Sequence, residues 1–311
     1  MKIAFVFPGQ GSQSVGMGKD LCENFTEARD AFAEASDALG YDMQALCFNG
    51  PKEELDKTFR TQPSILTASI AAFRVLTAKG ISPAAVAGHS LGEYSAITAA
   101  GVLSLRDAAK LTEQRGTFMQ EAVPEGKGLM AAILGLERKT LDDICLSVGS
   151  GYVAAANYNC PGQIVIAGEK QAVEDAMKLA KETGAKRALA LAVSAPSHCR
   201  LMAPASERLA KLLGTIELKA PAVPVMNNAD AHFLDTVEGI KTSLVKQLNS
   251  PLLWEDSIKN MAASCIDTFI EVGPGKVLSG LIKRIVPEAQ ILNVEDTESV
   301  NKTLELINTA I

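Results

Sequence analysis

The stretch Val86-Ala87-Gly88-His89-Ser90-Leu91-Gly92-Glu93 constrains this chain more than any other. An apolar run suited to a buried strand passes into Gly-x-Ser-x-Gly and then into a helical pattern over about 91–100. This is the pattern of a nucleophile elbow, in which a serine on a sharp strand-to-helix turn projects its hydroxyl from the end of a sheet. The turn is strained and crowded, so glycine on both sides lets strand and helix pass closely. The helix that follows points its N-terminal amides at the serine, where they can stabilise an oxyanion. An ordinary glycine-rich βα turn can show the same five residues by chance. The context that separates the two is a strand before and a helix after, and the sequence supplies both.

The rest of the chain alternates in the same way. Residues 2–7 form a continuous apolar run, suited to a buried parallel strand. The loop Pro8-Gly9-Gln10-Gly11-Ser12-Gln13 follows; Ser14 stands where a dinucleotide fingerprint needs its third glycine. Such a loop can instead bring a backbone amide to the carboxyl ends of the strands, and in a serine acyl enzyme the Gln10 amide would be the second oxyanion donor. Helical patterns cover 18–39, 51–55, 62–79 and 105–122, the last carrying Gln114-Arg115-Gly116. Beyond 197 the expected order is a helix over 197–202, a strand over 223–226, helices over 237–248 and 254–263, and a strand over 268–272. A helix over 276–285, a strand over 289–294 and a helix over 299–311 complete it. This order predicts an α/β fold, a mainly parallel sheet with helices on both faces.

The pattern changes at Pro124-Glu125-Gly126-Lys127-Gly128. A strand over 129–134, a helix over 138–148, strands over 153–158 and 163–167 joined by a turn at 159–162, a helix over 169–183 and a strand over 186–193 give βαββαβ. That order is the ferredoxin-like module. The chain therefore divides into a large discontinuous domain, 1–126 and 197–311, and a small inserted one, 127–196. A length of 311 residues allows either one large or two smaller domains.

Composition narrows the function classes. A net charge of −6 argues against nucleic acid as a general partner. The six cysteines are scattered without a CxxC pair, which suits reduced thiols in the cytoplasm better than a disulfide framework or a zinc site. No secretory signal is expected, because Pro8 cuts the first apolar run short, and no run approaches the length of a membrane span.

A nucleophilic serine needs a general base, and the chain has three histidines. His89 adjoins Ser90 and points to the opposite side of a strand-like turn, so packing or holding the turn suits it better. His232 lies in the polar segment Asn227-Asn228-Ala229-Asp230-Ala231-His232, expected to be a surface loop. His198 is the best base by elimination. No acidic residue stands out as its orienter, and a dyad oriented by a backbone carbonyl is at least as good a solution as a triad. Cys199 beside it reads as a packing residue.

Taken in order, Phe7-Pro8-Gly9-Gln10-Gly11-Ser12-Gln13, Gln62-Pro63-Ser64, Gly88-His89-Ser90-Leu91-Gly92-Glu93-Tyr94, Gln114-Arg115-Gly116, Pro196-Ser197-His198 and Glu271-Val272-Gly273-Pro274-Gly275 resemble one family. It is the malonyl-CoA:acyl carrier protein transacylases of dissociated fatty-acid synthesis, whose hydrolase-like domain with a ferredoxin-like insertion agrees with the division above. The resemblance implies that Ser90 carries the malonyl group as an ester and that His198 is its base and then its acid. It implies an oxyanion hole from the amides of Gln10 and Leu91, a malonyl-carboxylate site at Arg115, and a main-chain carbonyl at Gln247 that orients His198. It implies a ping-pong transfer from malonyl-CoA to acyl carrier protein, no metal or redox cofactor, and a monomer. A buried two-pronged guanidinium–carboxylate contact contributes about 1.5–3 kcal/mol, or one to two decades of preference for malonyl over acetyl. Ser197 stands where many relatives carry phenylalanine, so a roomier pocket is expected. An acidic carrier needs a basic patch, for which Lys186, Arg187, Arg200, Lys283 and Arg284 are candidates. Three rivals stay open: a hydrolase on the same elbow, a non-catalytic carrier-binding protein, and a different acyl donor.

Overall fold

A computed structural model describes residues 1–191 and 195–309. Ten strands organise these residues: β1 (Ile3–Phe7), β2 (Ala85–Gly88), β3 (Gly128–Leu134), β4 (Val153–Cys160), β5 (Gln163–Glu169), β6 (Arg187–Ala190), β7 (Val225–Met226), β8 (Phe233–Leu234), β9 (Thr268–Val272) and β10 (Gln290–Val294). Among the described residues they form a six-stranded sheet, β10-β9-β1-β2-β7-β8, and a four-stranded sheet, β4-β5-β3-β6. The first is parallel except for the β7–β8 pair. Both the mainly parallel sheet and its helices agree with the sequence pattern.

The apolar run of β1 shows why the sheet is buried on both sides. Successive side chains point to opposite faces. Phe5 and Phe7 join Val86, Ile270 and Val272 in one core, whereas Ala4 and Val6 join Ala85, Ala87 and Phe269 in another, against Trp254. In register, Phe7 lies opposite Gly88, and Val6 lies opposite Glu271, so the first loop, the serine turn and the Gly273 turn leave the sheet at one end. In an open α/β sheet that end is where a site forms.

The smaller sheet is antiparallel throughout. Helices Arg138–Ser147 and Lys170–Glu182 cover one face through Leu141, Ile144, Val173 and Ala176 against Ala131, Ile133 and Ile166. The other face gathers Met130, Ala156, Val165 and Ala167 around Cys199, the neighbour of His198. Strand β4 also joins the larger unit, since Tyr158 N donates to Leu252 O and Leu252 N to Ala156 O.

Several elements differ from the sequence pattern. The helix expected over 18–39 is two, Lys19–Asn24 and Thr26–Leu39, broken where Phe25 turns extended. The helix expected from 62 begins at Thr58 and carries Pro63 inside it. Pro63 has no N–H to donate, so the packed apolar face, not local propensity, holds the first turns. No helix spans 197–202: His198 adopts φ 59, a 3₁₀ turn covers Arg200–Met202, and the helix Ala203–Leu213 follows. The turn expected at 159–162 shrinks to Pro161-Gly162 because β4 continues to Cys160, and β8 has no counterpart in the sequence pattern. The parts of the expected elements at 192–193 and 310–311, and Ser194, lie outside the described residues.

Candidate active site

Ser90 follows β2 on a left-handed turn, φ 54, a conformation that costs a serine energy and persists only where its surroundings enforce it. The flanking glycines are required by contact. A Cβ on Gly88 would lie 1.9 Å from Gly92 O, and one on Gly92 would lie 2.0 Å from Phe7 O. Gly9 in the first loop is pressed just as closely, with its would-be Cβ 2.3 Å from His89 O. Asn228 braces the turn from outside: Ser90 N donates to its Oδ1 at 2.8 Å, and its Nδ2 donates to Gly88 O at 2.7 Å.

His198 lies beside the serine, with Nε2 2.8 Å from Ser90 Oγ and Nδ1 2.8 Å from Gln247 O. A carbonyl only accepts, so Nδ1 carries the ring proton and Nε2 presents its lone pair to the hydroxyl. The imidazole is buried at 2% exposure. Burial, reinforced by the Arg115 charge, holds its pKa down to about 3, so it is neutral at ordinary pH. His89 points elsewhere, to Asn159 Oδ1 at 2.9 Å and edge-on to Trp254. His232 is exposed, as expected of a loop, but Asn227 and Asn228 in the same segment are buried, contrary to the surface-loop expectation. Their amides satisfy buried backbone and side-chain groups, which a polar sequence cannot reveal.

Arg115 has 0% exposure. Its Nη1 donates to Gln62 Oε1 at 2.8 Å, and its Nη2 donates to Gln247 Oε1 at 2.9 Å and Ser90 Oγ at 3.3 Å. The guanidinium also lies over the Tyr94 ring, 5.1 Å from its centroid. Gly116 makes this reach possible: a Cβ there would lie 2.6 Å from Phe59 Cα, so the helices Leu105–Ala122 and Thr58–Ala78 touch at their backbones.

Ser90, His198, Arg115 and Gln247 thus form one hydrogen-bonded group. Gln10 lines the same cavity as Ser90 and His198, a space of about 250 Å³ between the two sheets. Leu91 follows the serine, its side chain buried and its amide at the start of the helix Gly92–Ala99. Sequence reasoning assigns no role to Glu93, Gln62, Asn159 or Asn228. Glu93 and Gln62 stand in the motifs named above, whereas Asn228 carries no signal at all. Among the described residues no group of three or more His, Cys, Asp or Glu side chains could hold a metal ion, and no helix is long and apolar enough to cross a membrane.

Known proteins bear directly on this arrangement. Residues 4–303 match the family model described as acyl transferase domain. The malonyl CoA-acyl carrier protein transacylase of Haemophilus influenzae is 51% identical over 309 residues, covering 98% of this chain and 99% of the relative, and that of Bacillus subtilis is 47% identical over 98% and 97%. A crystal structure of an acyl carrier protein S-malonyltransferase from Vibrio cholerae aligns with TM-score 0.95 at 50% identity, over 97% of this chain and 100% of that one. A malonyl-transacylase solved in complex with a type II PKS acyl-carrier protein aligns with TM-score 0.96 at 49% identity, over 98% and 99%. The chain belongs to the acyl transferase domain family and, within it, to the malonyl CoA-acyl carrier protein transacylases.

Proposed function

We propose that this protein moves a malonyl group from malonyl-CoA to the phosphopantetheine thiol of acyl carrier protein, through an ester on Ser90, in fatty-acid biosynthesis. The observation that carries this reading is Arg115, a fully buried cation whose hydrogen-bond partners are neutral oxygens, one of them the Ser90 hydroxyl. A guanidinium so placed fits the free carboxylate of a malonyl group whose thioester carbon faces the serine. A simple ester hydrolase gives it no purpose.

In the first half-reaction the Ser90 oxygen attacks the thioester carbonyl carbon and its proton passes to His198 Nε2. The amides of Gln10 and Leu91 receive the oxyanion, and neither has an intramolecular acceptor among the described residues. As the C–S bond breaks, His198 returns the proton to the departing CoA sulfur. In the second half the carrier thiol gives its proton to His198 and attacks the ester, and Ser90 leaves with that proton. Gln247 O holds the ring so that Nε2 faces the reaction in both halves. Proton and acyl group are balanced among substrates and side chains, so no metal or redox cofactor enters.

We infer further that residues 127–196 form a ferredoxin-like unit inserted between 1–126 and 197–311. The order β4-β5-β3-β6, antiparallel pairing and a separate apolar core support this division. Exposed Lys186, Arg187, Arg200, Lys283 and Arg284 suit an acidic carrier. One chain supplies every site residue named, which suits a monomer, and six free cysteines suit the reducing cytoplasm.

The test is intact-protein mass after brief mixing with malonyl-CoA, with and without phosphopantetheine-bearing carrier. The expected adduct is absent in Ser90→Ala and moves to the carrier thiol. Loss of the adduct to water at the same rate with or without carrier would make the protein a hydrolase instead.

A further inference from the structure

Glu93 occupies the first turn of the helix Gly92–Ala99 and is 1% exposed. Its carboxylate accepts from Asn228 N at 3.0 Å, Gln247 Nε2 at 2.8 Å and Ser243 Oγ at 3.3 Å. Burying a carboxylate among neutral donors is costly, and a role confined to stitching loops together would be served by an amide or a hydroxyl. Its partners are the groups that hold the reacting serine. Asn228 Oδ1 accepts from Ser90 N, and Gln247 Nε2 also donates to Ser90 O at 3.0 Å.

The consequence lies in the Gln247 amide, whose nitrogen donates and whose oxygen accepts. The Glu93 carboxylate and the Ser90 carbonyl can only accept, so Nε2 must face them. Oε1 is thereby forced toward Arg115 Nη2, 2.9 Å away. The reversed amide would aim N–H groups at the guanidinium and leave Glu93 facing an oxygen. Glu93, together with the Ser90 carbonyl, thus selects the one orientation in which Gln247 holds Arg115.

We propose that Glu93 is a positioning residue for malonyl recognition: by accepting from Gln247 it fixes the amide that holds the Arg115 guanidinium beside Ser90. The proposal rests on the reading of Arg115 as the malonyl-carboxylate site. A protonated Glu93 carries an O–H donor and accepts more weakly, so its share of this selection is lost. Burial raises the Glu93 pKa to about 7, so the loss falls in an accessible pH range. Arg115 is the charged group acting on Glu93, while the helix Val237–Asn249 and the Asn228 loop present only Ser243, Gln247 and Asn228, none of which titrates. The adjacent Tyr94 phenol is pushed up to about 12 by burial and stays neutral.

The experiment is the ratio of kcat/KM for malonyl-CoA over acetyl-CoA, in which steps common to both donors, including any titration of His198, cancel. Glu93→Leu, which cannot accept, is expected to lower the ratio about tenfold, the size of one lost charge-assisted hydrogen bond. Glu93→Gln, neutral and carrying a donor beside its acceptor as the protonated acid does, is expected to lower the ratio to the value that wild type reaches at low pH. The wild-type ratio should fall as pH is lowered from about 8.5 to 5.5, and the Glu93→Gln ratio should stay level. A Glu93→Leu ratio equal to wild type, or a wild-type ratio that is level with pH, would overturn the proposal. If Glu93→Leu does not fold, the pH comparison of wild type with Glu93→Gln decides alone. Arg115→Ala separates the two readings: a ratio unchanged there removes the Arg115 assignment itself, whereas a ratio lowered there but level in the Glu93 tests removes only the role of Glu93.

Discussion

At the residue scale, chemistry is set by what surrounds each side chain. An arginine on an amphipathic helix is ordinarily a solvated charge. Arg115 is buried because Gly116 brings its helix onto Phe59 and because Gln62 and Gln247 accept from its Nη1 and Nη2. Arg115→Ala is expected to lower kcat/KM for malonyl-CoA about 10–100-fold more than for acetyl-CoA, measured by parallel steady-state assays. Arg115→Lys should recover only part of this, because an ammonium cannot span two acceptors and a carboxylate as a planar fork does. Ser90 and His198 are legible in different ways. Ser90 sits in a local motif whose geometry is written into five residues. His198 follows only by elimination among three, and the helical pattern of residues 197–202 around it does not survive in the fold. A left-handed histidine, φ 59, whose N–H bonds Leu248 O at 3.0 Å is held by tertiary contact rather than by local pattern.

At the scale of elements, close backbone approach decides how strand, helix and loop converge. Gly116→Ala places a Cβ 2.6 Å from Phe59 Cα, and the helices must separate. It is expected to cost about 1–3 kcal/mol, seen as a lower midpoint in thermal or urea unfolding, and to erode malonyl preference because Arg115 moves with its helix. Gly280 supplies the contrast: it lies in the helix Val277–Ile285, and a Cβ there would meet nothing within 4 Å. Gly280→Ala should stabilise by about 0.4–1 kcal/mol in the same measurement, with unchanged transfer activity. Strands are plain in the sequence because parallel, doubly covered strands are short apolar runs with turn residues at their ends. Helix limits are less so, since the break at Phe25 and the start at Thr58 depend on what the helices pack against.

At the scale of the whole molecule, two buried groups tie stability to pH in opposite directions. His198 binds its proton more weakly folded than unfolded, with a folded pKa of about 3 against 6.5. Its share of stability is present above pH 6.5 and is lost as pH falls from there toward 3. Glu93 binds its proton more strongly folded, with a folded pKa of about 7 against 4.5. Its share is present below pH 4.5 and is lost as pH rises toward 7. From pH 4.5 to 6.5 the two nearly cancel. Glu93→Gln removes one of them, so its unfolding free energy, relative to wild type, should fall by roughly 1.4 kcal/mol per pH unit on acidification across that window. Urea unfolding of both proteins at several pH values checks this; parallel curves would show that the two titrations are not opposed.

The sequence by itself determined what neighbouring residues can enforce: the glycine-flanked serine turn, the buried strands, the alternation that makes a mainly parallel α/β sheet, and the identity of each motif. Only the tertiary structure decided how they meet. Ser90, Arg115, His198 and Gln247 come from four separate segments, and Gln247 joins the other three through both its backbone carbonyl and its side-chain amide. Glu93 and Asn228 hold that arrangement through buried hydrogen bonds to residues more than a hundred positions away. The reason is physical. Propensity and periodicity act over a few residues, whereas the partner of a buried polar group is chosen by the fold that removes it from water.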